Sequence, residues 1–165
     1  MEISFRKAFN DAIQGIDDSH YRDNIVTDYV RGLGDMLTDY QYCYESAIRQ
    51  IRATIADLRF KFYIGITEDP IFRWVRLGLY RQYDYMMLLY AGPTGKWKIF
   101  NGDSPEVIAL KSVSSGQMER DLIKFFKDDH PEEYPNLQNK GPGGEGASSG
   151  CPHFTYVAAK FIEVW

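Results

Sequence analysis

Glu119 is the residue whose position most asks for a chemical explanation. It sits in the run MERDLIKFFKD, where Met118, Leu122, Ile123, Phe125 and Phe126 define one apolar arc of a helix at about 100° per residue. Glu119 falls inside that arc, between Phe126 and Ile123, while Arg120, Asp121, Lys124 and Lys127 fall outside it. A carboxylate on the buried side must be paired, protonated or bound to a cation, because leaving it alone costs several kcal/mol. Half of an internal salt bridge and a metal ligand are both open to it. Two further groups, Tyr63 and Arg73, stand ten residues apart in FKFYIGITEDPIFRW. An arginine offers a planar fork to phosphate or carboxylate oxygens. A phenol, with an ordinary pKa of about 10, serves as a base only where positive charge lowers that value.

The elements that must position these groups follow from local patterning. Phe60, Phe62 and Ile64 alternate with Lys61, Tyr63 and Gly65, the period of a pleated strand. Asp69-Pro70 then supplies an N-cap and a first helical residue, so a helix carrying Arg73 begins there. Upstream, residues 1–33 read as helical and irregular, with a Gly15–Ser19 turn before His20–Arg31. A long helix opens at Gly34-Asp35 and runs to about Leu58, with Leu37, Tyr44, Ile51 and Leu58 every seven residues. Tyr40, Ala47, Ile48 and Ile55 broaden this stripe into a face laid on a core. Downstream, Met86–Ala91 reads as a buried strand. A hairpin over Lys96–Phe100 and Val107–Lys111 is followed by a helix from Ser114, with Gln117 completing a capping box. The Gly-rich stretch 141–146 is irregular, and Phe154–Val164 is a last strand. These elements predict an α/β (α+β) fold in which helices flank a small, mainly antiparallel sheet. A helical extension at 1–58 packs on a core at 59–165.

The chain has 165 residues, 44% apolar and 25% charged, enough for one domain with a real core. No run approaches the roughly 20 apolar residues of a membrane helix, and MEISFRKAFN does not read as a secretory signal. Two cysteines and three scattered histidines argue against a disulfide framework or a Cys/His zinc site, and an intracellular location is expected. The net charge of −4 argues against a general polyanion binder, so a nucleic-acid role needs a local patch. Arg49, Arg52, Arg59, Lys61, Arg73, Arg76 and Arg81 supply one candidate.

Tyr63-Ile64-Gly65 closing a strand, with Arg73 on the following helix, Glu119 on a later helix and Asn139-Lys140 ahead of a glycine-rich loop, resembles the GIY-YIG nuclease family across residues 60–146. The resemblance stops upstream. Where the family's Gly-Ile-Tyr strand is expected, the chain has Ile51-Arg52-Ala53-Thr54 inside a helical pattern, and Ile66 stands where the family often has lysine. The resemblance implies hydrolysis of phosphodiester bonds with Mg²⁺ or Mn²⁺, on DNA ahead of RNA. By it, Glu119 is the metal ligand, Arg73 the phosphate-binding group and Tyr63 the base or water-orienting phenol. Asn139, ahead of its rival Asn136, holds the phosphate or the framework by hydrogen bonds, and Arg76 and Lys140 join Arg73 on nucleic acid. The missing tyrosine leaves Tyr80, Tyr83, Tyr85 and Tyr90 as possible second phenols, with nothing selecting among them. Two other functions compete: a non-catalytic relative binding nucleic acid or protein, and an accessory subunit, or homo-oligomer, docking through the N-terminal helices.

Overall fold

The computed structural model describes residues 2–56, 60–92, 100–105, 115–141 and 153–162. Its elements run α1 (Glu2–Asp17), β1 (Ile25–Val26), α2 (Asp28–Arg31), a 3-10 turn (Gly34–Thr38), α3 (Tyr40–Thr54), β2 (Phe60–Thr67) and α4 (Pro70–Val75). A second 3-10 turn (Leu79–Arg81), β3 (Tyr85–Gly92), α5 (Ser115–Ile123) with a π-helical continuation (Lys124–Asp129), and β4 (His153–Phe161) complete them. The strands of the expected hairpin at 96–99 and 107–111, the glycines beyond Gly141, and Leu58, Arg59 and Ser114 lie outside the described residues.

The four strands form one mixed sheet in the order β1–β3–β4–β2. β2 pairs antiparallel with β4 over its whole length, from Phe60 opposite Phe161 to Thr67 opposite Phe154. β3 is antiparallel to the other side of β4, and β1 is parallel to β3. This is the α+β class with a mainly antiparallel sheet. The last strand is thus the neighbour of the YIG strand, although the two are far apart in the chain. β4 is buried from His153 to Ala159, as a strand covered on both faces must be.

Strand alternation sends Phe62, Met87, Tyr90 and Thr155 to one face, where α3 and α5 cover them. Phe126 meets Phe62 edge-on at 5.7 Å, Tyr40 meets Tyr90 at 6.1 Å, and Thr155 Oγ1 donates to Ser115 O. The opposite face carries Phe154, which packs on Phe9 of α1 at 5.9 Å. Each such buried aliphatic or aromatic side chain contributes about 1.5–3 kcal/mol through area removed from water.

Two upstream expectations are corrected. The long helix from Gly34 is broken at Asp39, whose backbone is extended (φ −97°, ψ 96°) and whose side chain accepts from Tyr42 N, so α3 starts at Tyr40. The apolar repeat continues across this break, so periodicity alone does not reveal it. Residues 20–31, read as part of a helical and irregular N-terminal stretch, contain instead a two-residue strand and a single helical turn. Residues 25–26 therefore join the sheet, and the N-terminal third is part of the core as well as packed on it. The apolar face of α3 (Cys43, Ala47, Ile48 and Ile51) is buried on the chain's own sheet.

Candidate active site

The turn from β2 into α4 is built as its residue types require. Thr67 Oγ1 donates to Asp69 O and accepts from Asp69 N, and Asp69 Oδ1 accepts from Phe72 N at 3.0 Å, capping the helix that Pro70 opens. Arg73 then lies one turn along α4 and reaches back, its Nη2 3.4 Å from Ile66 O. A second anchor sets α5. Ser115 Oγ donates to the carbonyls of Gly92 and His153, tying the start of the helix to the end of β3 and the start of β4. Glu119 follows one helical turn later and is only 7% exposed.

These anchors bring Tyr63, Arg73 and Glu119 into the wall of one cavity of about 450 Å³, together with Tyr156, His153 and Glu68. β2 is an edge strand, so side chains from both faces of the sheet can meet around its end. Gly65 is what lets Tyr156 get there. A Cβ on residue 65 would lie 2.5 Å from the Tyr156 hydroxyl, and strand pairing sets these two residues opposite one another. Tyr63 and Tyr156 have ring centroids 6.4 Å apart.

Electrostatics in the cavity are mixed. Burial pushes the Tyr63 phenol above its ordinary value, Glu119 pushes it further, and Arg73 opposes both. Tyr156 is also raised, chiefly by burial, with Arg73 the principal opposing charge. Both phenols are therefore protonated at neutral pH and present O–H donors. His153 is almost fully buried, with its Nε2 3.9 Å from Glu68 Oε2. Arg73 Nε is buried and has no hydrogen-bond acceptor among the described residues. Such an orphaned charged donor is costly unless a ligand completes it.

A divalent metal is implied by the sequence resemblance, and the residues present fit one. Glu119 is a hard oxygen donor on the wall of a cavity that exceeds the about 180 Å³ taken by six waters at about 30 Å³ each. Among the described residues no group of three or more His, Cys, Asp or Glu side chains gathers as a metal cage. A metal here would rely on Glu119, water and substrate oxygens, the arrangement Mg²⁺ tolerates.

The remaining expected residues lie elsewhere. Asn139 does not line the cavity. Its carboxamide bonds both backbone groups of Ile64, accepting from N at 2.8 Å and donating to O at 2.7 Å. It extends a ladder in which Phe62 N donates to Asn136 O and Gln138 N donates to Phe62 O. Its place is in the frame, holding the free edge of β2, and Asn136 contributes to the same frame through its carbonyl. Arg76 and Lys140 are exposed and outside the cavity wall, and Lys140 O accepts from Lys127 Nζ. Three members of the basic cluster rest on aromatic partners. Arg52 lies over Phe125 and donates to Tyr134 Oη, Lys61 lies over Tyr83, and Arg81 over Tyr80.

Tyr156 and His153 were not singled out by sequence reasoning. None of Tyr80, Tyr83, Tyr85 or Tyr90 lines this cavity. Tyr90 is buried against Tyr40, and Tyr85 is exposed. The signal for Tyr156 was present only as strand register, since it faces the glycine of Tyr63-Ile64-Gly65 once β4 pairs with β2. Comparison of the chain with protein-family models, with curated proteins and with solved structures returns no match.

Proposed function

We propose that the chain is a divalent-metal-dependent endonuclease that hydrolyses phosphodiester bonds, DNA ahead of RNA. The observation that carries this reading is the orphaned Arg73 Nε in a cavity walled by Glu119 and two phenols. A guanidinium with an unfilled donor beside a cavity matches a phosphate oxygen. Tyr63 and Tyr156, held protonated, donate to a phosphate oxygen or orient the attacking water. Their fixed rings make that arrangement available before substrate arrives, which is where electrostatic catalysis gains most. Glu119 would hold the cation. When bound, the metal offsets phosphate charge and lowers the pKa of nearby oxygen acids. A cation held at Glu119 would oppose the groups that raise Tyr63 and bring its phenol closer to ionisation. His153, with Glu68 close to its Nε2, is a further group that can hold or give a proton within the cavity wall.

A second reading is favoured by a specific observation. Both phenols are pushed up rather than down, and Ile66 stands in the wall, so chemistry without the metal is weak and the scaffold can serve binding alone. Nicking of supercoiled DNA separates the two. The hydrolase reading expects Mg²⁺- or Mn²⁺-dependent nicking by the wild type and its loss in Arg73→Ala with unchanged thermal stability. Nicking by Arg73→Ala at the wild-type rate would end the assignment.

A further inference from the structure

Helix α4 separates two concavities. Phe72 and Arg73 line the one already described, and Trp74 and Val75 line a second of about 460 Å³. Four aromatic side chains, Tyr21, Trp74, Tyr80 and Tyr83, surround this second cleft together with Asn24 and Asp84. It shares a wall with the first, because Tyr63 of the cavity and Tyr83 of the cleft are in ring contact with centroids 6.4 Å apart.

The polar atoms at the cleft are one-sided. Asn24 Nδ2 donates to the Asp84 carbonyl at 3.3 Å, leaving the amide oxygen. Asp84 Oδ2 accepts from Phe161 N at 3.3 Å, leaving Oδ1. Neither remaining oxygen has a donor among the described residues. Trp74 and Tyr83 are buried and floor the cleft, so the aromatic face beside these acceptors is chiefly that of the exposed Tyr80. Positive charge sits at its rim, where the Arg81 guanidinium lies 5.6 Å from the exposed Tyr80 ring. A flat heterocycle with exocyclic amino donors and a neighbouring phosphate meets all three conditions. Aromatic side chains stack bases without regard to sequence, and carboxylate and amide oxygens accept from base amino groups.

We propose that the cleft of Trp74, Tyr80 and Tyr83 takes one unpaired base of the nucleic-acid strand whose backbone lies in the Arg73–Glu119 cavity. This rests on the hydrolase reading for the strand's path, and it narrows the substrate to one with an unpaired or extruded nucleotide beside the scissile phosphate. Adenine, cytosine and guanine carry the amino group the acceptors need, while uracil and thymine lack it.

The test is a tryptophan-fluorescence titration of the full chain with AMP, CMP and UMP. The proposal expects a saturable change with AMP and CMP and binding of UMP weaker by several-fold. Tyr80→Ala, an exposed position that leaves the core intact, is expected to weaken AMP roughly 5- to 100-fold by loss of stacking. Trp74→Phe removes the optical change. No saturable change at millimolar AMP, equal binding of UMP, or indifference to Tyr80→Ala would each overturn the proposal. A chain that binds AMP through Tyr80 but never cuts keeps the cleft and loses the hydrolase. One that cuts but binds no base does the reverse.

Discussion

The Tyr156 hydroxyl stands 2.5 Å from the point where a Cβ on residue 65 would lie, so Gly65 is the gap through which the C-terminal strand delivers a phenol to the end of β2. Tyr156 is 1% exposed and has little room to give way. Gly65→Ala should therefore cost about 1–3 kcal/mol, as overpacking of a tight site does, and should shift Tyr156 out of the cavity. Thermal unfolding with near-ultraviolet circular dichroism measures both. An unchanged midpoint and an unchanged aromatic spectrum would contradict the packing described.

Asn139 and Arg73 make a contrasting pair. Asn139→Ala strips both backbone groups of the fully buried Ile64 of their side-chain partner, and a loss of about 2 kcal/mol is expected from the unsatisfied groups. Urea unfolding should show a lower midpoint with an unchanged slope. Among the described residues the hydrogen bond lost in Arg73→Ala is a 3.4 Å contact to Ile66 O, so its stability should stay near that of the wild type while any phosphate-dependent function is lost. A destabilised Arg73→Ala beside an unaffected Asn139→Ala would reverse the two roles.

Alkaline pH should unfold the protein in a predictable window. Burial pushes Tyr40, Tyr63, Tyr83, Tyr90 and Tyr156 above the ordinary phenol value, and Tyr40 is raised further by its hydrogen bond to Asp121. Folded-state values above the unfolded ones mean that the native chain keeps protons the unfolded chain releases. Stability is thus fully present below pH about 10 and falls as pH rises beyond it. Thermal midpoints across that range, read with tyrosinate absorbance, check the direction. A midpoint that rises above pH about 10 would contradict it.

Much of this was legible where the signal is local. The strand at Phe60, the Asp69-Pro70 helix start and the buried side of the helix carrying Glu119 all depend on neighbours within a turn or two, and each is found. The π-helical turn at Lys124–Asp129 departs from 100° per residue, yet Phe126 stays in the core against Phe62. What sequence could not carry is long-range. β1 is two residues long and exists through its pairing with β3. Tyr156 reaches the site through register with a strand about ninety residues earlier. Asn139 suits a phosphate or a backbone equally by type, and only its bonds to Ile64 place it in the frame.

The break before α3 gives a local check on the same logic. Asp39→Ala removes the side chain that accepts from Tyr42 N, and a loss of about 0.5–2 kcal/mol is expected for an N-cap. Asp39→Ser should restore most of it. Equal stability of all three chains would mean that the cap is not what starts the helix.

Glu119 decides the central claim. Cleavage of a nucleic-acid substrate with unpaired nucleotides should be measured in Mg²⁺ for the wild type and for Glu119→Gln, with both proteins shown to be folded. The account predicts metal-dependent cutting by the wild type and a loss of roughly 10²-fold or more in the variant, the scale of removing one group that stabilises charge at the reacting centre. Cutting by Glu119→Gln at the wild-type rate, or a folded wild type that cuts nothing with either Mg²⁺ or Mn²⁺, would contradict it.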